Sequence, residues 1–540
     1  MAPFELDLVQ RLLDGAARVQ IFQCMGDAFY CPANNPRPDQ SIKKSICVRC
    51  KSEAAAATGF LDPGRGSIEV IDSKKLEAPD KQRIKDLLGA LSAEVIASDL
   101  AQLDLDSIER SAWDSTKSSL MTDLKDAEPD FRCHIDRLSS LFGAALTAGF
   151  SARAHFATQQ VDEVYIYNGR MVSYWPVRVA AQEFGVPFSV YEYPPFGVEH
   201  YSLTPNLIPH SRIEYARLAA RHWEEKVAEG DSEDWLATAS KWLLARQRRE
   251  LEGQQITLLG DALSRVKINL LPNSWARENF NIVFFPSSQY EFAGLPNYFG
   301  ELNLCQADVI EDVARAFPAS RVTIRMHPNQ SFTDRNFLAS IERIADLPAI
   351  EIVDPPSPVD SYRLAQEADV VVTFGSTMTI EASALGATVI EAGLPFYSEL
   401  GACRGARTAD ELLSAVRGLF FEWSENDGLT PRNPEPQAAV RAQAALMAFP
   451  REPKYLQADS TGQIVVTIGG TTARLGPSRG ARALAGLLEW LESPALKSRR
   501  LVDAALLVLL GRRARAALLG LLQRVRARRR HIVGPGFPSG

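Results

Sequence analysis

The sequence predicts an α/β protein of two doubly wound domains facing a cleft, followed by a basic helical extension. Three observations predict it. Short, continuously apolar runs alternate with helical stretches over most of the 540 residues, as expected for parallel strands covered on both faces. A helical section rich in Ala, Leu, Arg and Glu, from about Ser211 to Val266, separates two such series. A chain this long also exceeds what one core ordinarily serves, so two or three domains are expected. Residues 1–275 are assigned to the first domain, 276–425 to the second and 426–540 to the extension.

The first series holds the strand candidates "VQIFQC", "SIEVID" (67–72), "DEVYIYN" (162–168) and "PFSVYEY" (187–193). The second begins at Asn281 with "NIVFFP" and continues through "RVTIRM" (321–326), "DVVVTF" (369–374) and "ATVIEAG" (387–393). Beyond about Glu425 the pattern weakens. "NDGLTPRNPEPQ" reads as a loop and "QIVVTIGGTTARLG" as a hairpin or pair of edge strands.

Composition narrows the class. With 46% apolar and 23% charged residues the chain reads as a soluble globular protein, and a net charge of −7 argues against a general nucleic-acid binder. That charge is unevenly spread: Lys497 to Arg530 holds eleven basic residues and one acid, Asp503. This tail joins leucine-rich turns to arginine clusters and is broken at Gly511-Arg512-Arg513. It reads as a basic amphipathic surface for anionic lipid, or as a helix pair packed on the domains with solvated arginines. The amino terminus lacks a basic-then-apolar leader, and no run of 18 apolar residues occurs, so a cytoplasmic, membrane-peripheral protein is expected. Seven cysteines, an odd number, fit a reducing compartment. Cys24, Cys31, Cys47 and Cys50 could close a structural zinc site, or could include an ordinary buried strand-end thiol at Cys24.

The chemistry concentrates in the second domain. A buried strand should stop at Pro328, which leaves Arg325 and His327 at its carboxyl end, where open α/β sheets bind ligands. In "TFGSTMTIEASALGATVIEAG" the chain turns at Gly375-Ser376-Thr377 into a helix with Glu381 one turn inside. Glycine permits close approach, the hydroxyls and first helical amides attract a phosphate, and Glu381 suits the vicinal hydroxyls of a ribose. Ser287 and Ser288 supply a third strand-to-loop turn. Each piece also has a plain structural reading: a loop histidine, an N-cap, a first-turn acid, a serine turn. Their order at successive strand ends points instead to a nucleotide-sugar site.

"RMHPN", followed about fifty residues later by "GSTMTIEASALGATVIEAG", resembles the capsule-polysaccharide-biosynthesis glycosyltransferases of the GT-B type. These include bacterial Kdo transferases and are similar in motif to polysialyltransferases and CDP-glycerol glycerophosphotransferases. The resemblance covers about 281–400. It implies two Rossmann-like domains, a donor phosphate held by His327, Ser376 and Thr377, and a ribose held by Glu381. It also implies a CMP-linked donor, an inverting displacement and no metal. The sequence accordingly lacks an Asp-x-Asp at a strand end.

In the first domain, Asn168-Gly169-Arg170 and Glu192 end two strands, similar to the family's acceptor-side pattern. Glu192 is the leading catalytic base, with His200, Glu199 and Asp27 behind it. A structural role for a glutamate flanked by tyrosines stays open. Arg170 could position an anionic group or pair with a surface acid. The expected partners are a nucleotide-sugar, a polysaccharide or lipid-linked glycan, and the inner membrane surface; no cofactor is required. The rivals are a CDP-glycerol or ribitol-type phosphotransferase, a UDP-sugar 2-epimerase, and a non-catalytic scaffold binding nucleotide or membrane.

Overall fold

A computed structural model describes residues 3–23, 44–192 save 65 and 73–75, 201–248, and 269–327 save 273–274, 291–293, 296–299 and 304. It further describes 335–450 save 356 and 431, then 454, 456–458, 464–468 and 471–474. Helix α1 (Pro3–Asp14) leads into β1 (Arg18–Gln23), which pairs in parallel with β2 (Ser67–Asp72). Between them lies α2 (Lys44–Phe60), most of which falls in a separate compact unit. Helices α3 (Ala78–Ala90), α4 (Ala93–Ala97), α5 (Ser107–Leu124) and α6 (Ile135–Thr158) follow. Asp106 starts α5 with a reciprocal cap, accepting from Glu109 N while the Glu109 side chain accepts from Asp106 N. Trp113, Phe142 and Phe150 on α5 and α6 are fully buried and build the first lobe's core.

That core covers β3 (Val164–Tyr167) and β4 (Phe188–Glu192), a parallel pair joined through α7 (Trp175–Glu183). β5 (Ser202–Pro205) adds to β4 antiparallel. Nine residues separate Glu192 from Ser202, too few for the helical crossover a parallel return requires, so the chain doubles back. Among the described residues the first lobe therefore has two small sheets, one with an antiparallel edge, in place of the single doubly wound sheet expected.

The second lobe is the doubly wound sheet its sequence predicts. Its strands are β6 (Asn281–Phe285), β7 (Arg321–Arg325), β8 (Ile350–Val353), β9 (Val370–Thr373), β10 (Val389–Ala392) and β11 (Arg404–Ala406), all parallel in the order β11-β10-β9-β6-β7-β8. Successive side chains point to opposite faces, and both faces are apolar. Ile282, Phe284, Val322, Ile324, Val370 and Val372 share one core. It includes buried residues of α10 (Gln306–Ala316), α11 (Arg335–Ile344) and α14 (Ala409–Glu425). Val283, Phe285, Val371 and Val389 share the other core, with α12 (Ser361–Glu367) and α13 (Met378–Ala384). The short strands β8 and β11 have no counterpart in the sequence reading, because neither carries a long apolar run.

The linking helices α8 (Arg212–Glu229) and α9 (Ser232–Gln247) pack against α15 (Pro436–Ala448): Ala219 shares one buried cluster with Ala439 and Ala442, and Ala239 another with Ala444. The predicted hairpin is present as antiparallel β13 (Ile464–Ile468) and β14 (Thr471–Arg474), with β12 (Leu456–Ala458) on the other side of β13. Among the described residues no helix is long and apolar enough to cross a membrane.

Asp360 caps α12 as its sequence position implies, accepting from Tyr362 N at 3.1 Å and Arg363 N at 3.4 Å. Its other oxygen accepts from Asn269 N at 3.0 Å, so one buried carboxylate satisfies three amides. Asp360→Ala is expected to cost about 1–2 kcal/mol, read as a lower urea midpoint. Asp360→Asn should retain most of it. An unchanged midpoint for the alanine variant would refute this.

Candidate functional site

The strand order locates the site. The chain leaves β6 for β7 and β8 on one side, then returns for β9, β10 and β11 on the other. Ligands of open α/β sheets bind outside the carboxyl ends at such a divergence. Three predicted segments arrive there: Ser287-Ser288 after β6, His327 after β7, and Gly375-Ser376-Thr377 after β9. Because β7 and β9 flank β6, strand spacing sets their ends roughly 10 Å apart.

Each arrives in a defined state. Ser287 and Ser288 are half-buried, and Gln306 clamps the first by its backbone, accepting from Ser287 N and donating to Ser287 O, both at 3.0 Å. His327 is exposed, yet enough protein surrounds its ring that desolvation, then the charges of Arg325 and Arg246, lower its pKa to about 4. It is neutral at pH 7. Gly375 has φ of +75°, a left-handed backbone that glycine adopts without strain. Ser376 Oγ accepts from Met378 N at 3.3 Å, and Ser376 O accepts from Thr379 N at 3.0 Å. The first amides of α13 are thus satisfied within the turn rather than pointing outward unpaired. What the turn offers a phosphate is hydroxyl hydrogens, since a serine that accepts one bond can still donate another.

Two predicted donor contacts are committed elsewhere. Arg325 is buried, donating to Asp354 O at 2.7 Å, Ser361 Oγ at 3.3 Å and Ser357 O at 3.4 Å. It anchors the 354–361 loop, and burial lowers its pKa to about 10, against the attraction of Asp354. It therefore acts on the site through its field. Glu381 is buried and accepts from Arg246 Nε at 2.7 Å and from Tyr362 Oη at 2.5 Å. Burial opposes the charge of Arg246, but Glu381 and Tyr362 outweigh it and raise its pKa. With both oxygens engaged, this carboxylate holds α9 to the sheet instead of presenting itself to a ribose.

In the first lobe the structure brings Asn168 and Glu192 together. Asn168, left-handed at φ +58°, ends β3, and its Nδ2 donates to Glu192 Oε2 at the end of β4. That hydrogen bond orients the carboxylate. Arg170, two residues beyond Asn168, is buried. The alternative bases Asp27, Glu199 and His200 lie outside the described residues. So do Cys24, Cys31 and the side chain of Cys47; Cys50 is exposed on α2.

Three residues join the site unannounced. Arg212, the first residue of α8, donates from Nη2 to Gly375 O at 3.0 Å and lies over the Phe396 ring at 4.8 Å. A β-carbon at Gly375 would meet its Nη1 at 2.1 Å. Arg246 and Tyr362 complete the Glu381 network. Only Arg212 left a signal in the sequence: a cation at a helix amino terminus opposes the macrodipole and calls for a tertiary partner.

No family model and no curated protein matches the chain. Solved structures similar to it include KpsC of Thermosulfurimonas dismutans, a beta Kdo 2,4 transferase. It is 13% identical over 61% of this chain and 87% of that one, at TM-score 0.32. A putative UDP-N-acetylglucosamine 2-epimerase from Listeria monocytogenes is 11% identical over 78% and 94%, at TM-score 0.25. The glycotransferase of kitacinnamycin is 14% identical over 82% and 90%, at TM-score 0.21. Likenesses at these scores carry no weight for function, which rests on the site itself.

Proposed function

We propose that this chain is a glycosyltransferase of the GT-B type that moves a sugar from a nucleotide-activated donor, CMP-linked by resemblance, onto a cell-surface polysaccharide or glycolipid. The observation that carries the reading is the meeting of Ser287-Ser288, His327 and Gly375-Ser376-Thr377 at the divergence of one parallel sheet. Arg212, Arg246 and Arg325 surround it with positive charge. A neutral imidazole and three or four hydroxyls in a cationic field suit a phosphate that gains charge as it departs.

The chemistry is a direct displacement. The acceptor hydroxyl oxygen attacks the anomeric carbon, the bond from that carbon to the phosphate oxygen breaks, and its electron pair leaves with the phosphate. The acceptor proton passes to the Glu192 carboxylate, which Asn168 holds in place. His327 donates to the leaving oxygen, and no cofactor enters. The excess of basic residues from Lys497 to Arg530 supports a place on the cytoplasmic face of a membrane, beside a lipid-linked acceptor.

The test is retention and turnover. Purified protein is incubated with CMP-Kdo, CDP-glycerol or UDP-GlcNAc, and nucleotide release is followed. CMP-Kdo should turn over, and Glu192→Ala should bind it with unchanged affinity while slowing release about 10²- to 10⁴-fold. Turnover of CDP-glycerol alone would establish the phosphotransferase. Absence of turnover with every donor would leave the non-catalytic scaffold.

A further inference from the structure

A cluster of tyrosines stands at the carboxyl ends of β3 and β4, around the Asn168–Glu192 pair. Tyr167 and Tyr191 are partners in the parallel register, with ring centroids 5.5 Å apart. Tyr174, the residue before α7, is held by its amide on Met171 O at 2.9 Å and meets the Tyr167 ring edge-on at 5.7 Å. All three side chains are half-buried. Helix α1 reaches the same place, because Tyr191 Oη donates to Glu5 Oε1 at 2.7 Å. The donor site uses none of these tyrosines.

Two polar atoms of this cluster lack partners among the described residues. Asn168 spends its Nδ2 on Glu192, while its Oδ1 is shut off from solvent with nothing donating to it. The Tyr174 hydroxyl bonds to neither nearby carboxylate, nor to another group. Burial first, then the charges of Glu5 and Glu192, push its pKa up to about 12. It is therefore a neutral hydroxyl at pH 7, able to donate and to accept. Polar groups left so in a native fold ask what completes them. An anion does not, since both charges felt at Tyr174 are negative and no cation offsets them among the described residues. A ligand hydroxyl does, because it can donate to an oxygen of the cluster and accept from the phenol. Tyrosine rings beside such groups suit a sugar, whose ring carbons are apolar and whose rim is polar.

We propose that Tyr174, with Tyr167 and Tyr191 as its walls, forms an acceptor subsite for an uncharged sugar end that carries vicinal hydroxyls. One hydroxyl faces Glu192 and gives up its proton in the transfer, and its neighbour bonds to the Tyr174 phenol. The proposal rests on the preceding reading for the role of Glu192 and adds to it the class of acceptor. An acidic sugar end would bring a third negative charge beside Glu5 and Glu192, and like charges set together in an interface suppress the wrong partner. The subsite therefore selects as well as binds.

NMR of the full chain labelled at the tyrosine ¹³Cζ tests it, since 13 tyrosines contribute and Tyr174→Phe assigns the one of interest. The probes are methyl β-D-glucopyranoside and methyl β-D-galactopyranoside as neutral sugars and methyl β-D-glucuronide as the acid. Turnover of CMP-Kdo is followed in parallel. At least one neutral sugar should shift the Tyr174 signal. Tyr174→Phe should weaken its binding, read by saturation transfer to the sugar, about 3- to 10-fold. The glucuronide should bind at least about 10-fold less tightly, and Glu192→Gln should narrow that gap by removing one negative charge. If neither neutral sugar moves Tyr174 while CMP-Kdo turns over, the subsite is overturned and the transferase reading stands. If a neutral sugar moves Tyr174 while no donor turns over, the subsite stands as a glycan-binding site and the transferase reading falls. Equal binding of the glucuronide, or unchanged binding by Tyr174→Phe, also overturns the subsite.

Discussion

Arg246→Met is expected to destabilise the fold by about 3–5 kcal/mol, the largest loss for any single substitution proposed. Glu381 is 1% exposed and its carboxylate accepts from Arg246 at 2.7 Å and Tyr362 at 2.5 Å. Removing the cation leaves a buried anion with one hydroxyl for company, and that residue is what costs, more than the lost attraction itself. The double variant Arg246→Met with Glu381→Leu should recover much of the loss, because a buried pair replaced by apolar groups of similar volume is often neutral. Urea unfolding of the three proteins decides it. A loss below about 1 kcal/mol for the single variant would show that the ion pair is solvated and the packing of α9 independent of it.

His327→Ala should leave stability intact and slow sugar transfer about 10²- to 10³-fold, the scale for one donor aimed at a developing anion. The residue is exposed at a strand end, so truncation opens no cavity. Its free pKa of about 4 adds a signature of its own. A phosphate brings negative charge to a ring that burial, Arg325 and Arg246 had kept neutral, so binding raises the pKa and takes up protons. Affinity for the donor should therefore increase as pH falls below 7, and His327→Gln should flatten the component that does not come from the phosphate itself. Calorimetric titration in two buffers of different ionisation heat reads the proton count directly. Equal uptake by wild type and His327→Gln would place the phosphate elsewhere. Arg246→Met provides a cross-check, since removing that charge should raise the free pKa of His327.

Part of this was legible beforehand. The second lobe's parallel sheet follows from runs such as "NIVFFP" and "DVVVTF", whose alternate residues are equally apolar. The polar strand ends at His327 and Gly375-Ser376-Thr377 follow from residues that stop strands. Asn168 beside Glu192 was recoverable for the same reason, Asn168 being the first residue past β3 and Glu192 the last of β4. The first lobe was harder: the nine residues after Glu192 rule out a helical crossover, but β5 is only four residues, Ser202–Pro205, with no apolar run to mark it as a strand.

What the sequence by itself determined is therefore periodic and local: which runs form strands, where they stop, and which polar residues stand at those stops. Only the tertiary structure decided strand order, and with it the divergence at β6 and β9 that turns separate turns into one site. It also decided what each polar group does there. Arg246 finds Glu381 across 135 residues and Arg212 finds Gly375 across 163. Arg325 spends its hydrogen bonds on a loop about thirty residues away. Propensity and hydrophobic period act over a few residues at a time. Hydrogen-bond partners are chosen by whatever packing brings within about 3 Å, and burial then makes an unmade choice costly.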